Sequence, residues 1–106
     1  MAAYGTIGAD ELRDRLGEVD LFDVRGPAET DRGVIEGAEL VPLHMVPLNV
    51  DRFRREKDVV IYCHSGARSA QACQFLIQQG VGNVYNLEGG ILQWAGAGLP
   101  LVPPGE

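Results

Sequence analysis

The chain has 106 residues, of which 15 are acidic and 9 are basic, so its formal net charge is −6. This length is close to the commonest size of one domain and is enough to bury a hydrophobic core, so we expect residues 1–106 to form one domain. No cluster of Lys and Arg stands out in the sequence. Neither nucleic acid nor an anionic membrane surface is therefore an expected partner.

The N-terminal residues and the cysteines bear on the compartment. Met1 to Gly5 lack the basic start and the apolar core of a signal peptide, and no stretch approaches the length of a membrane span. The chain contains two cysteines. Without a secretory signal, two cysteines favour reduced thiols over a disulfide scaffold. We therefore expect a cytoplasmic protein.

Apolar stretches and turn residues predict short strands that alternate with helices along the chain. Such alternation is typical of an α/β domain in which a central, mainly parallel five-stranded sheet has helices on both faces. Residues 99–104, rich in proline, are predicted to form an extended surface tail. Strands are predicted at 4–7, 20–24, 38–41, 59–62 and 82–87, and helices at 10–16, 27–30, 51–57 and 69–79 and from 91 onward.

Cys63 lies where a predicted strand ends and a helix is about to begin. The four residues before it, Val59 to Tyr62, are apolar, which predicts a strand that is buried on both faces. Backbone N–H groups of the following loop and of the first helical turn should point back at the sulfur. Such an arrangement stabilises a thiolate or a bound anion. The position therefore predicts that Cys63 is a nucleophile.

The loop after Cys63 has the composition of an anion-binding site. Gly66 allows tight curvature and a close approach of backbone to ligand. Ser65 and Ser69 offer hydroxyl donors, and Arg68 supplies a permanent cation with planar donor geometry. Donors and a cation of this kind lower the pKa of a thiol below its ordinary value. The loop thus favours a thiolate at neutral pH.

Polar residues also follow other predicted strands. Asp23 and Arg25 end the second strand, and Glu88 follows the last one. In parallel α/β folds ligands bind beyond the carboxyl ends of the strands, so topology and chemistry predict a site at the same edge. Asp23, Arg25 and nearby Glu29 are predicted to form a charge network that supports the loop rather than to react. Between Val59 and Leu87 there is no Asp or Glu, which is compatible with an anionic ligand, although buried elements also exclude charge.

Four segments in order resemble the single-domain rhodaneses of the thiosulfate sulfurtransferase family. The resemblance implies the three-layer rhodanese fold, and it covers nearly the whole chain. One departure lies at residues 33–37, where relatives usually have a histidine and a proline before the Gly-Ala pair. Because that histidine is not the nucleophile of the family, the departure concerns local packing. The matching segments are 21–25 with Glu29, 37–43, the loop 63–69, and 84–91 with Trp94 and 98–100.

The resemblance implies a two-step sulfur transfer. The Cys63 thiolate takes the sulfane sulfur of thiosulfate, or of a related persulfide donor, as a persulfide and passes it to cyanide or to a thiol acceptor. The implied partners are a small sulfur-containing anion and a thiol or sulfur-carrier protein. No residue set has the spacing of metal ligands and no Gly-rich nucleotide fingerprint is present, so no cofactor is expected. The implied substrate-binding residues are His64, Ser65, Gly66, Ala67, Arg68 and Ser69.

Two other functions stay open on the sequence. Cysteine phosphatases and arsenate reductases separate the cysteine and arginine by five residues, whereas four residues separate Cys63 and Arg68, which favours sulfur over phosphate. A non-catalytic rhodanese-like module for binding or regulation commonly lacks the cysteine that this chain has. Cys73 is interpreted as a core residue or as a thiol that resolves a persulfide. His64 either adds positive potential to the mouth of the site or faces solvent.

Overall fold

A computed structural model of the protein describes residues 3–105. Its five strands form one sheet in the order β1-β5-β4-β2-β3, and all four neighbouring pairs are parallel. The predicted five-stranded parallel sheet is confirmed. The strands are β1 (Gly5–Ile7), β2 (Asp20–Asp23), β3 (Glu39–Leu40), β4 (Val59–Tyr62) and β5 (Val84–Leu87), and the helices are α1 (Ala9–Arg15), α2 (Pro27–Thr30), α3 (Ala67–Gln78) and α4 (Gly90–Gly96).

Two hydrophobic cores, one on each face of the sheet, make the three layers that the sequence predicts. Alternate residues of β4 supply both: Val59 and Ile61 pack with α3 on one face, while Val60 and Tyr62 pack with α1 and α4 on the other. Successive side chains of a strand point to opposite faces, so a central strand needs apolar residues throughout. Among residues 3–105, no helix is long and apolar enough to cross a membrane.

The prediction of a helix at residues 51–57 is wrong. The structure has two short 3-10 helices in this region, Leu43–Leu48 and Val50–Phe53, and an irregular segment follows. The physical reason is Phe53, which is fully buried and packs against Phe22 with ring centroids 4.3 Å apart. Burial of this ring holds the segment against the sheet, and a regular solvated helix does not form there.

The chain after α4 is extended, as predicted, and it is joined to the rest of the fold. Val102 pairs with Val34 in an antiparallel bridge, with both backbone hydrogen bonds 2.8 Å long. Trp94 is a buried residue of α4, and its indole N–H donates to the carbonyl of Pro100 at 2.9 Å. These contacts bring the exposed side chain of Leu101 close to the carboxyl edge of the sheet, where it lines a cavity described below.

Candidate active site

Cys63 follows the last residue of the central strand β4, and α3 begins four residues later at Ala67. Gly66, the residue before α3, has a φ of +109°, in the left-handed region that favours glycine. A glycine at this position therefore lets the loop turn sharply and return its N–H groups toward Cys63.

Three polar groups lie within hydrogen-bonding distance of the Cys63 sulfur. The Gly66 N–H lies 3.1 Å from Sγ, and the N–H and hydroxyl of Ser69 each lie 3.4 Å from it. Burial raises the pKa of the Cys63 thiol, but the contacts of the sulfur with Ser69 and with the N–H groups of Gly66 and Ser65 outweigh it, and the pKa is lowered. The loop therefore favours the thiolate, the nucleophilic form of cysteine.

The first turn of α4 packs directly under the loop. The N–H of Ile91 donates to the Cys63 carbonyl at 2.9 Å, and the N–H of Leu92 donates to the His64 carbonyl at 3.0 Å. Gly90 makes this approach possible, because a Cβ atom there would lie 2.6 Å from the Cys63 carbonyl oxygen and closer still to that of His64. The glycines of the Glu-Gly-Gly segment thus bring α4 against the Cys63 loop.

Asn86 is a site residue that the sequence reasoning missed. Its side chain is buried on β5, where it donates to the Gly66 carbonyl at 3.1 Å and accepts from the Ser69 hydroxyl at 2.5 Å. A signal was available, because Asn86 is a polar residue in a predicted strand between the apolar residues Val84 and Leu87. A buried amide needs hydrogen-bond partners, and the nearest polar loop is the one after Cys63.

Arg68 pairs with Glu29 of α2. Its two terminal nitrogens each donate to one carboxylate oxygen at 2.8 Å, and both side chains are partly exposed. The hydrogen bond from Arg68 lowers the pKa of Glu29 to about 2, and the same bond raises the pKa of Arg68. Since the guanidinium has five N–H donors, the pair leaves some of them free for an anion. Arg68 is thus paired with Glu29, one of the three residues expected to form a charge network supporting the loop.

Asp23 and Arg25 form a buried ion pair at the carboxyl end of β2. The Arg25 guanidinium donates to both oxygens of Asp23 at 2.7–3.0 Å and to the Gly33 carbonyl at 2.8 Å. The pKa of Arg25 is raised, since its hydrogen bonds and charge interaction with Asp23 outweigh its desolvation by burial. No hydrogen bond joins Asp23 or Arg25 to the Cys63 sulfur in the described residues. Their contacts are those of a structural pair next to the site.

A cavity of about 430 Å³ opens beside the loop. Apolar side chains of α4 and of the C-terminal tail line one side, and charged side chains line the other. His64 faces solvent at this cavity, and Ser65 and Ala67 are exposed nearby on the loop. Among residues 3–105, no three His, Cys, Asp or Glu side chains are close enough together to hold a metal ion. The lining residues are Arg25, Glu29, Arg32, Gly33, His64, Arg68, Ile91, Leu92, Ala95 and Leu101.

Cys73 lies in the core between α3 and the sheet. It is fully buried, and this burial raises the pKa of its thiol to about 12. A buried neutral thiol of this kind packs as a small apolar side chain and is a poor nucleophile. The structure thus favours a core role for Cys73 over that of a thiol that resolves a persulfide.

Comparison with known proteins assigns the family. Residues 8–97 match the model of the rhodanese-like domain. The chain is 48% identical over 101 residues to a sulfurtransferase of Allochromatium vinosum, an alignment that covers 92% of this chain and 94% of that protein. It is 36% identical over 91 residues to the uncharacterized protein YqhL of Bacillus subtilis, covering 86% and 72%. The crystal structure of a rhodanese-related protein from Thermoplasma volcanium superposes with a TM-score of 0.88 at 33% identity, covering 93% and 98%.

The superposition agrees with the five-stranded parallel sheet of this chain. Sulfurtransferases of this family use sulfur donors and acceptors, and the similarity to one of them supports sulfur transfer as the general reaction of this chain. The chain therefore belongs to the rhodanese-like domain family.

Proposed function

We propose that Cys63 transfers sulfane sulfur from thiosulfate, or from a related persulfide donor, to a thiol or to cyanide. The Cys63 thiolate attacks the outer sulfur of thiosulfate, a new S–S bond forms, and the old S–S bond breaks as its electron pair leaves with sulfite. An acceptor thiolate then attacks the outer sulfur of the Cys63 persulfide. The acceptor becomes a persulfide, and the Cys63 thiolate is regenerated.

One observation supports this chemistry most directly, namely the donors around the Cys63 sulfur. Gly66 N–H at 3.1 Å and Ser69 N–H at 3.4 Å converge on one buried atom at the start of α3. Backbone donors that are fixed by the fold stabilise negative charge on the sulfur without having to reorganise during the reaction. The same donors stabilise the Cys63 thiolate before it takes up sulfur, the persulfide anion that results, and the thiolate that is released when the acceptor takes the outer sulfur.

Binding of the donor anion depends on the loop and on Arg68 together. Because Arg68 is paired with Glu29, its charge is partly neutralised, and it acts mainly by its remaining N–H groups and by holding α2 against the loop. The N–H groups of Ser65 and Gly66 supply the other donors near the sulfur. We expect a small anion to be held by these groups in front of Cys63.

The acceptor has room in the adjacent cavity. Its volume, about 430 Å³, lies within the range of sites that bind small organic molecules and exceeds what one inorganic anion fills. Leu92 and Leu101, two exposed leucines, line it together with the exposed cation Arg32. An organic thiol with an apolar part and a negative charge fits this lining, either as a free molecule or as the end of a sulfur-carrier protein.

Mass spectrometry after incubation with thiosulfate tests the proposal. We expect Cys63 to gain one sulfur atom, which cyanide removes as thiocyanate. Cys63→Ser abolishes the adduct, while Cys73→Ser, the matched control at the other cysteine, retains it. A wild-type protein that folds but forms no adduct contradicts the proposal and favours a binding module. Hydrolysis of an aryl phosphate without any persulfide favours phosphatase chemistry instead.

A further inference from the structure

Asn86 lies on the strand next to the one that leads to Cys63. It pairs in register with Ile61 of β4, two residues before the cysteine. Side chains two residues apart on a strand point to the same face, and Ile61 and Cys63 belong to the same core cluster. The buried Asn86 side chain is therefore on the same side of the sheet as the Cys63 sulfur.

The partners of Asn86 fix the orientation of its amide. The Gly66 carbonyl, 3.1 Å away, can only accept a hydrogen bond, so the atom that faces it is the amide nitrogen. The amide oxygen then faces the Ser69 hydroxyl, and that hydroxyl must be the donor. The opposite orientation would place two acceptors against each other at the Gly66 carbonyl.

The Ser69 hydroxyl has one hydrogen and three acceptors within reach. Its oxygen lies 2.5 Å from the Asn86 oxygen, 3.2 Å from the Gly66 carbonyl and 3.4 Å from the Cys63 sulfur. The Gly66 carbonyl already accepts from Asn86 and from the Ala70 N–H. The hydrogen is therefore donated to Asn86, and the hydroxyl faces the sulfur with a lone pair rather than with a donor.

We propose that Asn86 is a positioning residue that holds Gly66 and Ser69, whose backbone N–H groups donate to Cys63, and that keeps the Ser69 hydroxyl hydrogen away from the sulfur. The inference rests on the proposed role of Cys63 as the reactive thiol. Its consequence is that backbone N–H groups alone stabilise the thiolate in this state. The direction of those groups depends on one side chain of a neighbouring strand.

Alkylation of Cys63 by iodoacetamide across pH, followed on its own peptide by mass spectrometry, tests the hydroxyl. Ser69→Ala removes the hydroxyl, and we expect the midpoint of the alkylation profile to stay close to the wild-type value, because no donor to the sulfur is lost. If the hydroxyl did donate to the thiolate, the midpoint would rise by roughly one to two pH units. A rise of that size overturns this part of the proposal.

The same measurement tests the positioning role when Asn86→Ala is made in the Ser69→Ala background. Only the contact with the Gly66 carbonyl is then lost, and we expect the midpoint to rise by roughly one pH unit as the N–H donors lose their fixed direction. An unchanged midpoint overturns the proposal. The matched control is Asn83→Ala, because the Asn83 amide also holds two backbone carbonyls, those of Arg55 and Lys57, at 2.9 and 2.6 Å.

Loss of Asn83 should lower the stability of the fold without moving the midpoint. An equal shift from Asn83→Ala would mean a general structural effect and would overturn the proposal. If the alanine variant of Asn86 does not fold in that background, Asn86→Leu, which is close to asparagine in size but has no amide to donate to the Gly66 carbonyl, takes its place with the same expected rise. Alkylation needs no sulfur donor, so a failure here is distinguishable from a failure of thiosulfate to form a persulfide.

Discussion

Arg68 and Glu29 form a two-point ion pair, with each terminal guanidinium nitrogen 2.8 Å from one carboxylate oxygen. The pair joins the first turn of α3 to α2, so it ties the Cys63 loop to the segment that follows β2. A planar guanidinium matches a carboxylate in this way, and a lysine does not. The arginine of the Cys-x4-Arg loop is thus a structural tie as well as a cation near the sulfur.

This pair predicts a stability change in acid. The pKa of Glu29 is lowered from 4.5 to about 2 by the hydrogen bond from Arg68. The stabilisation is therefore fully present above pH 4.5 and is lost as the pH falls toward 2. Because both side chains are more than one third exposed, we expect about 0–1 kcal/mol from the pair. Glu29→Gln should remove this part of the pH dependence in urea unfolding measured between these values.

Glu88→Gln is the matched control for that experiment. Glu88 is exposed at the same edge of the sheet, and no salt bridge to it is found in residues 3–105. The control should therefore keep the acid-dependent part of the unfolding free energy that Glu29→Gln loses. If the unfolding free energy of the two variants depended on pH in the same way, the Arg68–Glu29 pair would not be the source of the acid-dependent stability.

The two thiols are expected to differ in their reactivity across pH. Hydrogen bonds at the loop lower the pKa of Cys63 despite its burial, whereas burial raises the pKa of Cys73 to about 12. Alkylation of Cys63 should therefore reach its plateau at a lower pH than that of a free cysteine peptide, and Cys73 should stay unmodified in the folded protein. Peptide mass spectrometry reports both sites in one sample. Faster modification of Cys73 would contradict the assignment of the nucleophile.

The sheet could be predicted from sequence because its strands are short apolar runs between turn residues. Val59 to Tyr62 is fully buried, and its position before a glycine-containing loop indicated where Cys63 would lie. Parallel strands end at one edge, so the nearness of the β2 residues to the loop also followed from topology. The structure adds which charges pair, and it places Glu29 on Arg68 and Asp23 on Arg25.

The errors have a common physical cause in tertiary contacts. The charged segment around Phe53 has helical composition, but burial of that one ring against Phe22 decided its conformation. Asn86 was missed because its role depends on contacts with Gly66 and Ser69, which are distant in sequence. Local patterns indicate which residues are buried, and they do not specify which buried polar groups meet.

Loss of Arg25 is expected to destabilise the fold strongly. Arg25→Met would leave the Asp23 carboxylate, which is fully buried, without its charged partner. Breaking a buried pair in this way costs about 3–5 kcal/mol. Arg13→Met is the matched control. Within residues 3–105, Arg13 pairs only with exposed Asp10 and Asp14, so its loss should change the unfolding free energy by less than about 1 kcal/mol. If Arg25→Met and Arg13→Met lowered the unfolding free energy in urea by the same amount, the structural role of Arg25 would be refuted.

The lining of the cavity predicts a change in acceptor use. Leu92 is 57% exposed at the cavity, so Leu92→Asp adds a negative charge there without opening the core. We expect a higher KM for an anionic organic thiol such as glutathione and little change for cyanide, which is small enough to bypass the lining. Leu48→Asp, at a leucine that is 76% exposed and absent from this cavity, should leave both values unchanged. A KM for glutathione unaffected by Leu92→Asp would place acceptor binding elsewhere.

Gly90 is expected to be indispensable for the loop, in contrast to another glycine of the same helix. Gly90 has a φ of +59°, and a Cβ atom there would collide with the carbonyl oxygens of Cys63 and His64. Gly90→Ala should cost about 1–2 kcal/mol from the left-handed conformation alone, and it should push α4 away from the loop. Persulfide formation with thiosulfate should slow accordingly, because Ile91 and Leu92 lose their hydrogen bonds to the loop carbonyls.

Gly96→Ala gives the comparison for this variant. In the part of the chain that the structure describes, no atom outside its own helix and chain neighbours lies within 4 Å of a Cβ at Gly96, and its φ is not positive. Alanine favours a helix over glycine by about 1 kcal/mol, so this variant should be as stable as the wild type or more stable. Thermal unfolding and the rate of persulfide formation distinguish the two variants, since only Gly90→Ala should lower both the melting temperature and the rate. A fully active Gly90→Ala protein would mean that the packing of α4 does not shape the Cys63 loop.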